Sequence, residues 1–416
     1  MAKSKYQAPR GTFDVLPAGA PARARVESVA AAIFARAGYE PIATPAFEDT
    51  ELFERGVGRS TDIVRKEMFT FEDKGGRSIT LRPEGTAPIC RAYLEHGMHK
   101  LAQPVKLSYL GPFFRHERPQ AGRYRQFHQL GVEAIGTDSP LADAEVIGLL
   151  AELLAELGVP GVELRLGSLG SSAARRAYLE ELRAHLRAHE GELSKEVRER
   201  IDANPLRAFD SDDEGTRGAM AGAPKLVDRL EGTDADHFDE VRALLDAAGI
   251  EYTIDPTLVR GLDYYTRTIF SFVCEGLGAQ SEIGGGGRYD GLIEQLGGGR
   301  TPAIGWAAGI ERILLALDEG GGEAVGRDVF VAVAEGGQSR RARALVMAGE
   351  LRQAGLSAEV DLGGRGLKGQ LKHADRLGAR RVLILEADGS AQLREMETGE
   401  QRPIDTGKLI DEVAGR

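Results

Sequence analysis

Two β-like runs, VKLSYLGPFFR and QFHQLGVEAIG, flank a charged loop at residues 115–125. Strand signals joined in this way read as a hairpin with a long tip, and such a hairpin points to an antiparallel sheet. On the second run Phe127, Gln129, Gly131 and Glu133 share one face by the period-two rule. Gln and Glu on one face of an otherwise apolar strand line something polar. Arg115 ends the first run and points the same way. Glu117, Arg118, Arg123 and Arg125 crowd the loop. A guanidinium beside carboxylates and an aromatic ring suits the gripping of a phosphate and the stacking of a base. For Arg118 and Arg125 a solvated, salt-bridged tip is the alternative reading.

Two further constellations are polar where a plain core would not be. TLVRGLDYYTRTIF carries Arg260, Asp263, Tyr264 and Tyr265, with Gly261 allowing close backbone approach. The tyrosines supply ring walls and hydroxyl partners. Read as a strand, they face opposite ways, so one of them is expected in the core. AQSEIGGGGRYDGL precedes AIGWAAGIERIL. Four consecutive glycines, Gly284 to Gly287, do not favour regular structure. They suggest a floor where backbone passes close to a ligand, with a flexible loop as the alternative. No Lys-Ser/Thr follows, so this is not a P-loop. Arg312, on a mainly buried helix, calls for an anion.

Hydrophobic spacing predicts helices over residues 20–37, 87–96, 141–157 and 309–317, and a short strand over 78–82. Prolines interrupt a β-like run at 39–58, which suits an edge or interface strand. Residues 171–248 turn charged, Ala/Leu-rich and helical, and read as a helical insertion. DEGGGEAVGRD reads as a linker, and beyond it a small β-α-β-α-β domain with a mostly parallel sheet is expected. The expected domains are therefore 1–325, with its insertion near 171–248, and 326–416.

With 416 residues the chain needs more than one domain. The net charge of -11 argues against a protein coated in nucleic acid, so no DNA partner is expected. From Gly326 onward 15 basic and 14 acidic residues nearly cancel, so the acidic excess lies upstream. No apolar run is long enough for a membrane span, and MAKSKYQAPRGTFD lacks the apolar core of a secretory signal. Cys90 and Cys274 are expected as reduced core thiols of a cytoplasmic protein. His96, His99, His116 and His128 have no zinc-ligand spacing, so no protein-only metal cage is expected. His116 and His128 are expected to make hydrogen bonds that support the site.

FRHERPQAGRYRQFHQ, LVRGLDYYTRTIF and AIGWAAGIERIL resemble the second class-defining motif, the histidine-specific motif and the third class-defining motif of histidyl-tRNA synthetases. LRPEGTAP and GGGGRYDGL also match, and the resemblance runs in order over nearly the whole chain. It implies a class II α+β catalytic domain on an antiparallel sheet, with a helical insertion and a C-terminal α/β anticodon-binding domain. It implies that ATP, with Mg²⁺ on its phosphates, L-histidine and the histidine tRNA are partners, and that the protein is a homodimer whose interface involves 39–58. By resemblance, Glu84, Thr86 and Gln129 grip the substrate α-amino group. Glu133 and Tyr265 read the imidazole, with Tyr264 in the same pocket. Arg115 and Arg260 converge on the histidine carboxylate and the α-phosphate. Phe127 stacks on adenine, while Glu117, Arg123 and Arg312 hold the nucleotide. Gln120 lies near the extra 5′ guanosine of the tRNA; Ala121 stands where many relatives have Lys.

Gly364, Gly366 and Gly369 form GxGxxG after SAEVDL, with Glu386 about twenty residues on, the spacing of a dinucleotide site. No second mononucleotide half follows. The resemblance makes this junction part of the anticodon-binding domain, where Arg365, Lys368 and Lys372 meet RNA; solvated helix charges are the alternative. The competing functional reading is the non-catalytic, histidine-binding regulatory subunit of ATP phosphoribosyltransferase. That relative lacks the C-terminal domain and usually the histidine-motif arginine, and this chain keeps both.

Overall fold

The first helix, α1 (Ala20–Arg36), buries Val26, Ile33 and Phe34 at helical spacing; Gly38, with φ +78°, follows its end. The proline-interrupted stretch then yields only the two-residue β1 (Glu40–Pro41) and the three-residue β2 (Phe47–Asp49), followed by α2 (Thr50–Phe53). β3 (Phe69–Glu72) and β4 (Ser78–Leu81) join β2 in a small sheet of order β2-β4-β3, and α3 (Thr86–Glu95) follows. Structure is described for residues 6–277, 281–317, 326–334 and 337–414 of this computed structural model. It divides into two units, Met1–Gly321 and Gly322–Arg416. Most of the expected linker, 318–325, lies outside the described residues.

The hairpin forms as read: β5 (Val105–Phe114) pairs antiparallel with β6 (Gln126–Ile135) along all ten residues of each strand. α4 (Pro140–Leu157) starts on the Ser139 cap and ends at left-handed Gly158. After β7 (Val162–Ser168) the chain is helical through α5 (Ser172–Ala188), α6 (Lys195–Arg198), α7 (Glu214–Ala221) and α8 (Thr233–Ala247). β8 (Thr253–Ile254), β9 (Thr266–Cys274), β10 (Glu282–Arg288), α9 (Leu292–Gln295), β11 (Ala303–Gly309) and α10 (Ile310–Ala316) complete the unit. The large sheet has the order β1-β5-β6-β11-β10-β9-β7-β8. Six antiparallel strands form its middle, and a two-residue strand pairs parallel at each edge.

Two expectations change here. Gly284 to Gly287 are not a flexible loop, and the floor that the run suggested is regular strand, with Gly284 and Gly285 facing open cavities. They are the middle of β10, a central strand. Packing overrides propensity, because β9 and β11 approach so closely that side chains cannot fit. A Cβ on Gly286 would stand 2.0 Å from Gly305 O and 2.6 Å from Trp306 Cα. Second, α8 does not belong with the insertion alone. Phe238, Val241 and Leu245 pack with Val146, Leu150 and Leu153 of α4 in the core behind the sheet. Amphipathic spacing showed that α8 buries a face, not which partner it buries it against.

At the end of β10 Arg288 is wholly buried, 2.7 Å from the equally buried Asp143 of α4. His237 of α8 takes the other Asp143 oxygen at 2.9 Å. Removing one partner of such a pair costs about 3–5 kcal/mol, because the other charge stays behind in low dielectric. This cluster anchors the glycine strand to the helices behind it.

In the second unit β12 (Val329–Val333), α11 (Gln338–Gln353), β13 (Ala358–Val360), α12 (Leu367–Arg376) and β14 (Arg381–Leu385) form the expected parallel β-α-β-α-β unit. Two antiparallel strands, β15 (Ala391–Glu395) and β16 (Gln401–Pro403), extend the sheet, and α13 (Leu409–Ala414) follows. Their short polar runs gave no strand signal. The GxGxxG junction is filled from within: Arg365 pairs with Asp361 at 2.5 Å, and buried Gln370 bonds both Val333 N–H and Val333 O.

Gly286→Ala should lower unfolding free energy by about 3 kcal/mol or more. Gly349→Ala, in α11 with open space around it, should raise it by about 0.5–1 kcal/mol. Urea denaturation of both variants measures the contrast.

Candidate active site

The functional face of the large sheet is lined by two chambers that share walls. The smaller, about 340 Å³, is walled by Glu84, Thr86, Gln129, Arg260, Tyr264 and Tyr265, among others. The larger, about 610 Å³, takes Glu117, Arg123, Phe127, Ser271, Glu311 and Arg312 into its wall. Arg115 and Glu282 line both. The hairpin, the histidine-motif segment and α10, far apart in sequence, thus meet at one place.

Glu84 and Thr86 owe their position to the start of α3. Glu84 accepts from the Thr86 and Ala87 N–H groups at 2.8 and 2.9 Å, an anion at a helix N-terminus. Burial raises the Glu84 carboxyl above its ordinary value, against those N–H bonds and Arg115. The Thr86 hydroxyl donates to Glu133 Oε1 at 2.7 Å, which leaves its lone pairs to accept. Gln129 Oε1 is buried with no hydrogen-bond partner among the described residues. Three oxygens with spare acceptor capacity therefore wall the chamber. That is the complement of an ammonium with three N–H donors.

Arg260 reaches Glu282 at 2.5 Å and lies 5.9 Å from the Tyr265 ring centroid. Burial alone would raise Glu282, but Arg260, the Ser271 hydroxyl and Arg312 outweigh it and hold this carboxyl below its ordinary range. Arg115 donates from Nε to Pro83 O at 2.9 Å, and its guanidinium stands 5.4 Å from the centre of the Phe127 ring. Glu117 pairs with Arg123 at 2.5 Å. Arg312 donates to the backbone oxygens of Glu282 and Gly122, and burial lowers its value.

The tyrosines correct an expectation. Both are buried and both line the smaller chamber, because they lie in the turn before β9, where strand alternation does not apply. Tyr264 reaches toward Glu84, 3.4 Å away, and burial pushes both phenols up.

Glu133 is the one expected histidine-site residue outside the chamber walls. It is 0% exposed, with one oxygen on Thr86 and the other on Tyr289 at 2.5 Å. Burial, with Glu84 adding to it, pushes its carboxyl up to about 8 against those two hydrogen bonds.

Gln120 is exposed at the hairpin tip, in a turn closed by Gln120 and Arg123 backbone bonds. In the second unit Arg365, Lys368 and Lys372 are exposed, the two lysines one turn apart on α12. His128 contacts Glu311 at 3.0 Å, as expected of a supporting residue. The His116 ring instead packs edge-on against Phe69.

Glu282, Asp62, Arg207 and Asp210 also line the chamber and were not anticipated. A lone acid leading into an uncharged glycine strand could have marked Glu282. The other three are brought in by tertiary packing, from the π-helical region near Ile63–Glu67 and from the insertion, and carry no local signal.

The family profile described as Histidyl-tRNA synthetase matches residues 11–313, and that described as Anticodon binding domain matches 328–416. The chain belongs to the histidyl-tRNA synthetase family. A Histidine--tRNA ligase of Halothermothrix orenii is 48% identical over 412 residues, covering 98% of each chain. The apo histidyl-tRNA synthetase of S. aureus superposes with TM-score 0.81 at 37% identity, over 98% of this chain and 99% of that one. A Bacillus halodurans structure described as an ATP phosphoribosyltransferase regulatory subunit/histidyl-tRNA synthetase shares the fold, with TM-score 0.67 at 23% identity over 92% of this chain and 99% of that one. Among the described residues of this synthetase-family chain, no helix is long and apolar enough to cross a membrane.

Glu133 binds more protons folded than unfolded between the ordinary carboxylate value of 4.5 and about 8. Its contribution to stability is therefore complete below the lower value and is lost as pH rises through the upper one. Thermal melts from pH 5 to 9 should show the parent losing stability relative to Glu133→Gln as pH rises, by on the order of a few kcal/mol. A pH-independent difference would contradict the assignment.

Proposed function

We propose that this chain is a histidine–tRNA ligase. It activates L-histidine with ATP to histidyl-adenylate, releasing pyrophosphate. It then passes the histidyl group to the 3′-hydroxyl of its tRNA, releasing AMP. The single observation that carries this reading is that Arg115 and Arg260 face one chamber which also holds three buried acceptors for an ammonium.

In this reading the substrate α-amino group sits on Glu84, Thr86 and Gln129. The imidazole lies against Tyr265, with Tyr264 packed beside that ring in the same pocket at 4.7 Å between ring centroids, and Glu133 acts through the Thr86 hydroxyl it holds. A site built around paired polar groups rejects a side chain that leaves one of them bare. Arg260 leaves Glu282 to meet the histidine carboxylate and, with Arg115, the α-phosphate. The carboxylate oxygen attacks phosphorus as the bond to pyrophosphate breaks, and charge on the equatorial oxygens meets two fixed guanidiniums. Phe127 stacks on adenine, and Glu117, Arg123 and Arg312 hold the nucleotide.

Among the described residues no three acidic, His or Cys side chains cluster closely enough to hold a metal, so Mg²⁺ would ride on the ATP phosphates, with a single carboxylate such as Glu282 of the larger chamber beside it. Bound there it would neutralise phosphate charge. Gln120 is proposed to approach the 5′ end of the tRNA, and Arg365, Lys368 and Lys372 its anticodon, with residues 326–416 as the anticodon-binding domain. The catalytic domain is then 1–325 with its insertion, and charging takes place in the cytoplasm.

A homodimer is also proposed. β2 and β3 flank β4 in register, so Phe47, Phe69 and Phe71 share a face, with Phe47 53% and Phe71 47% exposed. Large aromatic side chains clustered on a surface mark an interaction site. Light scattering reads this directly, and a mass of one chain contradicts it.

Histidine-dependent ATP–pyrophosphate exchange tests the activity. The parent should exchange, and Arg260→Ala should lose at least about 100-fold in rate while calorimetry still detects histidine binding. No exchange by well-folded parent would favour the regulatory-subunit reading. Unchanged exchange in the variant would refute the role of Arg260.

A further inference from the structure

The turn carrying both pocket tyrosines is clamped by the insertion. Arg267, two residues past Tyr265, has φ +46°, the only positive value at a non-glycine residue among those described. L-residues disfavour that conformation, and it persists only where surroundings enforce it.

The base of α5 provides that enforcement. Leu169 N–H donates to Arg267 O at 2.7 Å, and Arg267 N–H donates to Gly170 O at 2.8 Å. Arg267 Nε donates to Asp234 Oδ1 at 3.2 Å, while Asp234 Oδ2 accepts from the N–H of Ser171, the α5 cap, at 2.8 Å. One turn into the helix, Arg175 donates from Nη1 to Tyr265 O at 3.0 Å and to Asp263 O at 3.3 Å. Among the described residues no carboxylate pairs with Arg175. Its charge is spent on two main-chain carbonyls, which bracket Tyr264.

Asp263 is also fixed from the other side. Its carboxylate takes the Ser60 hydroxyl, and its N–H donates to Val57 O at 3.1 Å. The clamp therefore works against a firm backing, and sliding α5 would move the turn.

We infer that Arg175 is a positioning residue for amino-acid recognition. From the insertion helix it sets the backbone at Asp263 and Tyr265, and with it the directions of both tyrosine rings. This rests on the histidine-activating reading of the chamber. The residues assigned to the nucleotide, Glu117, Arg123 and Phe127 on the hairpin and Arg312 on α10, make none of these clamp bonds, although Asp210, Leu258 and Ser271 also line their chamber. Histidine affinity should therefore fall when Arg175 is cut back, while ATP affinity should not. A purely structural role would weaken both or neither.

The test is pyrophosphate exchange with Arg175→Ala and Arg175→Lys, together with calorimetric titration of histidine into the full-length protein. Arg175→Ala should raise KM and Kd for histidine about tenfold or more, with KM for ATP within about twofold of the parent. Arg175→Lys, keeping one charged donor, should recover part of the loss. If the alanine variant does not fold, the lysine variant and Arg175→Gln carry the same comparison. Parent-like histidine KM, or equal rises in both KM values, overturns the inference. A parent that neither exchanges nor binds histidine fails at the first step; that overturns the proposed function, and the role of Arg175 with it.

Discussion

Arg260 reaches Glu282 across the glycine strand because Gly285 has no side chain. A Cβ there would stand 2.9 Å from Arg260 Nη1 and 2.6 Å from Phe270 O. The rest of the site follows from this contact. The glycine run lets β9 and β11 close on β10, and the same run leaves a surface low enough for a guanidinium to lie on. Arg288 and Asp143 then fasten the far end of that strand to α4. A strand whose middle carries no side chains is held by the charges at its two ends.

The chamber keeps its charges in an incomplete balance. Arg260 and Arg312 hold Glu282 ionised despite burial, while Glu84 and Glu133 are both driven up by burial. An incoming ammonium would favour the ionised form of Glu84, and an incoming phosphate would compete with Glu282 for Arg260. Ligand binding thus exchanges internal pairs for external ones rather than burying new bare charges. That exchange suits a site that must release its product.

Much of this was legible in the chain. The hairpin, the polar face of its second strand and the helices at 20–37 and 141–157 follow from period and caps. All five residues assigned to the nucleotide, and all but Glu133 of those assigned to histidine, line the chambers. The failures share one cause, which is that local pattern does not reveal neighbours. Gly284 to Gly287 were read rightly as a floor, but the flexible-loop alternative stayed open because propensity ignores how close β9 and β11 come. Tyr264 and Tyr265 were placed on opposite faces because a turn was read as strand. Glu133 has the right spacing, yet Thr86 and Tyr289 occupy its oxygens. Asp62, Arg207 and Asp210 are ordinary surface charges until the insertion folds against the body.

The central claim is that two guanidiniums far apart in sequence act on one phosphorus. A crystal structure of the full-length protein with a non-hydrolysable histidyl-sulfamoyl-adenosine tests it most directly. The account predicts that Arg115 and Arg260 both donate to the oxygens at the sulfamoyl linkage, with Arg260 drawn off Glu282. A complex in which Arg260 stays on Glu282 and the linkage is met by Arg115 alone would contradict it.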